Sequence, residues 1–211
     1  MQPTSLASRI RFLMTDSVAP QIEDRINEFK ALHLKPNEDW FSELCFCILT
    51  ANSSARLGIR IQEALRAEGF LTLPEKEISG RLKELGHRFS ERRASFIVRA
   101  RDFRDIKDRI IHIGDEGKAR EWLAENVMGL GYKEASHFLR NVGYDDIAIL
   151  DRHVLGIMRD YGMIDEVPKA LTKRRYLELE GKLRALAMEV NIPLSKLDLY
   201  IWYLKTGTVL K

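Results

Sequence analysis

Apolar residues recur every three or four positions along almost the whole chain, and this spacing constrains the fold more than any other feature. One example is the segment with Tyr176, Leu179 and Leu183, which Thr172 can cap at its start. The alternation of apolar and polar residues that marks a half-buried strand is nearly absent, and only residues 147–150 read as extended. The sequence therefore predicts an all-α fold of about ten or more helices.

The composition is that of a globular protein that works inside the cell. Apolar residues make up 45% of the 211 positions, which is enough for a substantial core. The chain contains no apolar run of the roughly 18 residues that a membrane span needs, and its first residues do not resemble a signal peptide. Cys45 and Cys47 are too few thiols for a disulfide framework, a four-cysteine zinc site or an iron–sulfur cluster.

The charge balance permits a nucleic-acid partner without arguing for one. Lys and Arg number 34 against 31 Asp and Glu, so the formal charge is only +3, although one basic face can hide in such a total. The helix expected to begin at Ser90 turns Ala94 and Ile97 inward. The arginines that this arrangement leaves to solvent or to a partner are Arg92, Arg93, Arg99 and Arg101.

Asn37, Ser195 and Gly207 are also expected to begin or end helices. Asn37 and Ser195 precede apolar stripes and are predicted as N-caps, because their short polar side chains can accept a hydrogen bond from a first-turn N–H. Gly207 is predicted to end the last helix, because glycine adopts the left-handed conformation common at helix ends.

The most informative local pattern lies in residues 119–142. A helix with Trp122 and Leu123 runs into Gly129-Leu130-Gly131, and a second helix begins at once. The glycines let the backbone approach a ligand closely, and the N–H groups at the start of the second helix point outward with the positive end of its dipole. This hairpin suits a phosphate, although two glycines between helices are more often just a turn.

Two ionisable residues follow the hairpin glycines. Lys133 falls in the first turn of the second helix, where the dipole disfavours a cation and so favours the neutral amine that a nucleophile needs. Asp151 follows 18 residues later, at the end of the buried run 147–150, where it can cap a helix and face a developing cation. The simpler interpretations are that Lys133 is an ordinary exposed lysine and that Asp151 only caps its helix.

The run MGLGYKEASHFLRNVG followed by IAILDRHVLGIM resembles the helix–hairpin–helix DNA glycosylase superfamily, including the spacing of 18 from lysine to aspartate. From about Asp39 to Lys211 the chain is similar to the compact archaeal-type 8-oxoguanine DNA glycosylases. It departs from the eukaryotic enzyme in having no room for an N-terminal β-sheet domain. It departs from endonuclease III relatives in lacking a four-cysteine tail.

The resemblance implies two helical domains that flank a DNA-binding cleft. Residues 37–142 would form a helical barrel that ends in the helix–hairpin–helix motif of about 119–142. Residues 1–36 would join 143–211 in the second domain. The hydrophobic pattern alone could not have paired these two segments.

The resemblance also implies roles for individual residues. Lys133 would be the nucleophile of a bifunctional glycosylase/lyase and Asp151 the catalytic carboxylate, and Gly129 and Gly131 would hold DNA. Asn52, in the segment LTANSSA, would fill the hole left by the flipped nucleotide, unless it merely forms a turn or caps the next helix. The expected base-recognition residues are Phe89, Asp198, Trp202 and Lys211. For Phe89 and Trp202 the alternative is a plain core aromatic, and for Lys211 a disordered tail.

The implied function is excision of 8-oxoguanine from double-stranded DNA through a lysine imine, followed by β-elimination at the abasic site. No cofactor or metal is required, and we expect a monomer in the cytoplasm, associated with the nucleoid. One rival keeps the chemistry and changes the lesion, for example to an oxidised pyrimidine. Another is a non-enzymatic helix–hairpin–helix DNA-binding protein, which would need neither Lys133 nor Asp151.

Overall fold

The protein is described from a computed structural model that covers residues 5–211. Within this range the chain forms twelve α-helices, one short 3-10 turn and no strand, which confirms the predicted all-α class. No helix in the described range combines the length and the apolar character that crossing a membrane requires. The first four residues of the predicted second domain lie outside the described residues.

The chain divides into two units, one of residues up to Lys30 together with Gly143–Lys211 and the other of Ala31–Val142. The first unit holds α1 (Leu6–Leu13), most of α2 (Ala19–His33), α10 (Arg152–Asp160), α11 (Lys173–Val190) and α12 (Leu194–Thr206). The second unit holds α3 (Asn37–Thr50), α4 (Ala55–Thr72), α5 (Glu75–Glu84), α6 (Ser90–Ala100), α7 (Ile106–Ile113), α8 (Glu116–Asn126) and α9 (Tyr132–Asn141).

Helix α3 is the centre of the second unit. Every residue from Trp40 to Thr50 is buried, because α4, α6, α7 and α9 pack around this helix. Its one buried carboxylate, that of Glu43, accepts hydrogen bonds from the Asn141 amide at 2.6 Å and the Gln62 amide at 3.1 Å. Burying a carboxylate is costly unless it is hydrogen-bonded, so this network ties α4 and α9 to one point on α3.

In the first unit, α11 supplies hydrogen-bond partners for the segment 147–150, which is neither helix nor strand. The Tyr176 hydroxyl donates to the Ala148 carbonyl at 2.8 Å and accepts from the Leu150 N–H at 3.2 Å. The Glu180 carboxylate accepts from the Ala148 N–H at 3.1 Å. Because side chains bind this buried backbone, the segment can be buried without belonging to a helix or a sheet.

Two predicted N-caps are wrong. Asn37 is the first residue of α3, with Pro36 at the N-cap, and its Oδ1 accepts a hydrogen bond from Lys107 N–H at the start of α7 instead. Ser195 lies inside the first turn of α12, where it is buried and donates to Asp145 Oδ1 at 2.5 Å. Both side chains bind groups that are remote in sequence.

Two of the four arginines that were predicted to face solvent or a partner are not exposed. Arg92 and Arg99 are exposed, as expected, but Arg93 is buried and Arg101 is half-buried. Arg93 donates to the carbonyl of Ala51, and Arg101 donates to carbonyls at the end of α4. Carbonyls at helix ends lack partners within their own helix, and the long guanidinium side chains reach them.

Candidate active site

The hairpin predicted for residues 119–142 consists of α8, a turn at residues 127–131 and α9. Gly129 has a φ of +95°, which disfavours any residue with a side chain. A Cβ at this position would also lie 2.5 Å from Cδ2 of Phe96, so the turn needs glycine for two independent reasons. Gly131 is different: it is the N-cap of α9 and has an extended backbone that other residues can adopt.

Lys133 is the second residue of α9, and its side chain is 27% exposed. Its Nζ lies 3.8 Å from Oε1 of Glu134. The other carboxylate oxygen of Glu134 accepts a hydrogen bond from Gly131 N–H at 3.3 Å. Glu134 therefore offsets the repulsion that the helix dipole exerts on a cation at this position, and it also holds the end of the hairpin turn.

Asn52 occupies the turn between α3 and α4. It is exposed and has a φ of +58°, a conformation that asparagine adopts more readily than most residues. The N-cap of α4 is Ser54, whose hydroxyl accepts from Leu57 N–H at 3.2 Å. The interpretation of Asn52 as a helix cap is therefore wrong, and it is an exposed turn residue.

A cavity of about 540 Å³ lies between the Asn52 turn, α6 and the hairpin, and residues of all three line it. Arg93 lines it, and its Nε is buried without a hydrogen-bond acceptor, while its terminal nitrogen donates to Ala51 O at 2.6 Å. Burial lowers the pKa of Arg93, as does neighbouring Arg92, while Glu134 opposes the shift. Two guanidinium groups and an amide give the cavity hydrogen-bond donors for an anionic group or a base edge. Its remaining lining residues are Ala51, Phe96, Met128, Gly129 and Glu134, so the wall also carries one carboxylate.

Phe89 stands at the N-cap of α6, is 36% exposed and stacks against the Arg88 guanidinium, which lies 4.5 Å from the ring centroid. The buried side chain of His87 fixes its backbone, because Nδ1 accepts from Phe89 N–H at 3.2 Å. The other ring nitrogen then donates to Leu49 O at 3.0 Å. Burial lowers the pKa of His87, which favours this neutral imidazole.

Asp151 is the N-cap of α10, as its position after the buried segment Ile147–Leu150 predicts. Its Oδ1 accepts hydrogen bonds from His153 N–H and Val154 N–H, both at 2.8 Å. Hydrogen bonds from these two backbone donors fix the orientation of the carboxylate. An oriented carboxylate thus lies at the end of an apolar segment.

Trp202 is half-buried rather than a full core residue, and the ring of His153 meets it edge-on at a centroid distance of 5.1 Å. Its indole Nε1 is buried and has no hydrogen-bond acceptor. Asp198 precedes Trp202 by one turn of α12, so the two project from the same face. Gly207 ends the helix in the left-handed conformation, and the residues from Thr208 to Lys211 are half-buried.

The structure therefore brings the predicted residues together in two groups, each inside one unit. In the second unit, Asn52 and Gly129 line one cavity beside Lys133. In the first unit, Asp151 is linked to Trp202 through His153. No cluster of three or more His, Cys, Asp or Glu that could hold a metal ion occurs in residues 5–211.

Three residues at these sites were missed by the sequence reasoning: His87, Glu134 and His153. Only Glu134 had a local signal, since it follows Gly131 by three residues, the spacing at which a glutamate caps its own helix. His87 and His153 act through contacts to groups that the sequence pattern does not place.

Comparison with known proteins identifies one family. The family model described as 8-oxoguanine DNA glycosylase matches residues 22–192. An 8-oxoguanine DNA glycosylase/AP lyase from Methanocaldococcus jannaschii is 55% identical over 98% of this chain and 99% of the relative. The enzyme of the same name from Korarchaeum cryptofilum is 46% identical, with 98% of each chain covered.

Two solved structures have the same fold. The crystal structure of the M. jannaschii enzyme with a 15mer DNA containing 8-oxoguanine superposes with a TM-score of 0.96, covering 98% of this chain and 99% of the other. The crystal structure of the 8-oxoguanine DNA glycosylase from Thermotoga maritima gives a TM-score of 0.91 at 44% identity, with 98% of each chain covered.

Proposed function

The chain belongs to the 8-oxoguanine DNA glycosylase family, and from that premise we propose that Lys133 and Asp151 carry its chemistry. The protein is an 8-oxoguanine DNA glycosylase and AP lyase, so the predicted enzyme class is confirmed. This outcome favours 8-oxoguanine over an oxidised pyrimidine as the lesion, and it favours an enzyme over a binding protein without catalysis. The M. jannaschii relative is solved in complex with a 15mer DNA containing 8-oxoguanine, and double-stranded DNA with this lesion is the proposed substrate of this chain.

Lys133 is the proposed nucleophile. Its neutral Nζ attacks C1′ of the damaged nucleotide, and the bond from C1′ to the base breaks as the base leaves with the electron pair. Positive charge develops on the sugar as this bond lengthens. The Asp151 carboxylate, oriented by two backbone N–H groups, faces that charge and stabilises it.

The lyase step follows from the imine that the first step leaves. After the sugar ring opens, Lys133 is joined to C1′ as an imine, which acidifies the proton on C2′. Loss of that proton pushes an electron pair toward C3′, and the bond to the 3′ phosphate oxygen breaks. Strand cleavage on the 3′ side of the lesion needs only the amine and a proton acceptor, so this chemistry requires no metal or organic cofactor.

Binding must first rotate the nucleotide out of the duplex, because a stacked nucleotide does not present C1′ to a side chain. The proposed contributions are phosphate binding at Gly129 and Gly131 of the hairpin and insertion of Asn52 into the vacated space. Phe89 and Trp202 would stack on the extruded base, a contact of roughly 1–3 kcal/mol per base. Asp198 and Lys211 would bind its polar edge.

We further propose that the protein acts as a monomer in the cytoplasm, associated with the nucleoid where its substrate lies. No second copy is needed to complete either group of proposed site residues within its unit. The mass of the enzyme bound to a lesion duplex, measured by light scattering, tests this: one protein per duplex is expected, and two would contradict it.

The single observation that carries the residue assignment is Lys133 in the first turn of α9, directly after a turn that only glycine can form. Incision of duplexes that each hold one lesion tests the function. We expect cleavage of the 8-oxoguanine duplex to exceed cleavage of matched duplexes with an oxidised pyrimidine. Equal or faster cleavage of the pyrimidine lesion would contradict the assigned substrate.

A further inference from the structure

Glu134 makes two contacts that join the hairpin turn to the neighbouring amine. One carboxylate oxygen accepts from Gly131 N–H at 3.3 Å, and the other lies 3.8 Å from Lys133 Nζ. The side chain is 18% exposed, less than that of Lys133, so solvent screens this ion pair only in part. A glutamate that served only as a helix cap would need the first contact and not the second.

Charged groups also come from three helices that pack around α9 or line the cavity. Helix α6 contributes Arg92 and Arg93, which line the same cavity as Glu134. Helix α8 contributes Arg120, whose guanidinium lies 5.2 Å from the Tyr132 ring centroid, and helix α3 contributes Glu43, which is bonded to Asn141 at the far end of α9. Most of these groups are cations, and the carboxylate within ion-pair distance of the Lys133 amine is that of Glu134.

We infer that Glu134 is a positioning residue for the nucleophile: its carboxylate holds Lys133 Nζ at the mouth of the hairpin and supplies a negative charge beside it. The inference rests on the proposed function, in which Lys133 forms the imine. Through its cap to Gly131, the same side chain fixes the amine relative to the turn proposed to bind the phosphate. Without the contact to Glu134, the Lys133 side chain would adopt several orientations, and Nζ would reach C1′ in few of them.

The test measures imine formation on a duplex with a preformed abasic site, so that base release does not enter the rate. Single-turnover trapping with borohydride is followed from acid to alkaline pH for the wild-type protein, Glu134→Gln and Glu134→Asp. Glutamine keeps an oxygen for Gly131 N–H and removes only the charge. Aspartate keeps the charge and shortens the reach. Glu125→Gln removes an equal charge from the exposed face of α8 and serves as the control.

For Glu134→Gln we expect the acid limb of the pH–rate profile to move toward lower pH, because the variant lacks the negative charge that lies 3.8 Å from Lys133 Nζ. The plateau rate should fall about threefold or more, because the amine is held less well. Glu134→Asp should restore the acid limb but not the plateau. Melting temperature and duplex affinity should stay near those of the wild-type protein.

If Glu134→Gln leaves both the acid limb and the plateau of the pH–rate profile unchanged, the inference is overturned and Glu134 is only a helix cap. A lower melting temperature with an unchanged limb would overturn it as well. An equal shift in Glu125→Gln would assign the effect to net charge. The proposed function fails by a separate result, trapping that survives in Lys133→Gln, so the two failures are distinguishable.

Discussion

At the scale of single residues, Lys133 and Asp151 both lie at the start of a helix and carry opposite charges. Asp151 is the N-cap of α10, and two backbone N–H groups hold its carboxylate in one orientation. Lys133 is the second residue of α9, and its Nζ lies 3.8 Å from Glu134 Oε1. The two residues thus offer an oriented carboxylate and an amine at the mouth of the hairpin, the two groups that the proposed imine chemistry requires.

Asp151→Asn separates the cap from the charge. Asparagine caps helices about as well as aspartate, so we expect a near-normal melting temperature. Excision should slow on the order of 100-fold or more, because the charge that faces the transition state is lost. Single-turnover excision of 8-oxoguanine measures this, and Thr172→Asn, an exchange at the N-cap of α11, is the matched control. Normal excision by a folded Asp151→Asn protein would reduce Asp151 to a cap.

Sequence spacing could locate Lys133 and Asp151 because their positions depend on local helix boundaries. The environments of Arg93 and His87 could not be predicted in this way. Arg93 is buried because it reaches Ala51 O, 42 positions earlier, and His87 reaches Leu49 O, 38 positions earlier. Such contacts depend on how α3 and α6 pack, which the hydrophobic pattern of either helix leaves open.

At the scale of secondary-structure elements, the helix boundaries also show that a local pattern predicts contacts within one helix but not contacts to other parts of the chain. Thr172 and Gly207 were predicted correctly, because each acts on its own helix: Thr172 accepts from Arg175 N–H at 3.3 Å, and Gly207 adopts a φ of +68°. Asn37 and Ser195 had equally good side chains for capping. Each binds another part of the chain instead, so a local pattern could not assign it.

His87 joins α3 to the start of α6 through hydrogen bonds to Leu49 O and Phe89 N–H. We expect this residue to make the free energy of unfolding depend on pH. Because the pKa of His87 is lowered in the folded state, the unfolded chain takes up the proton first as the pH falls. This contribution to stability is present above the unfolded pKa of about 6.5 and is lost on acidification below it, by up to about 1.4 kcal/mol per pH unit.

Urea unfolding of His87→Gln and the wild-type protein between pH 7.5 and pH 5 checks this expectation. The variant should lose less stability across the range, since glutamine does not titrate but can still donate to Leu49 O. His112→Gln, which changes an exposed histidine of α7, should behave like the wild type. If the free energy of unfolding falls equally with pH for His87→Gln and the wild type, His87 is not the source of the pH dependence.

At the scale of the whole molecule, the all-α class followed from periodicity, and the superfamily followed from one 40-residue stretch, residues 119–158. The narrower family followed from similarity over about Asp39 to Lys211. The domain boundaries at 36/37 and 142/143 were implied by the resemblance and stay a prediction. Periodicity could not supply them, because an apolar stripe shows that a helix is buried but not which helices bury it. The segment 147–150 shows this as well, since its hydrogen-bond partners lie on α11.

The last residues should matter for lesion recognition by the whole enzyme. Deletion of Lys211, or extension by a C-terminal tag, should reduce 8-oxoguanine excision far more than cleavage at a preformed abasic site. The physical reason is that a base edge left unpaired on burial costs about 1–3 kcal/mol, or roughly 5- to 150-fold. Parallel incision assays on the two substrates measure the ratio. An equal loss on both, or on neither, would remove Lys211 from base recognition.

The central claim is that Lys133 forms a covalent imine with DNA, and borohydride trapping on a duplex with one 8-oxoguanine tests it most directly. The wild-type protein should give a covalent protein–DNA complex when borohydride is present and incised product when it is absent. Lys133→Gln should give neither, while its duplex affinity and melting temperature stay near those of the wild type. A trapped complex of undiminished yield with Lys133→Gln would contradict the claim and assign the chemistry to another amine.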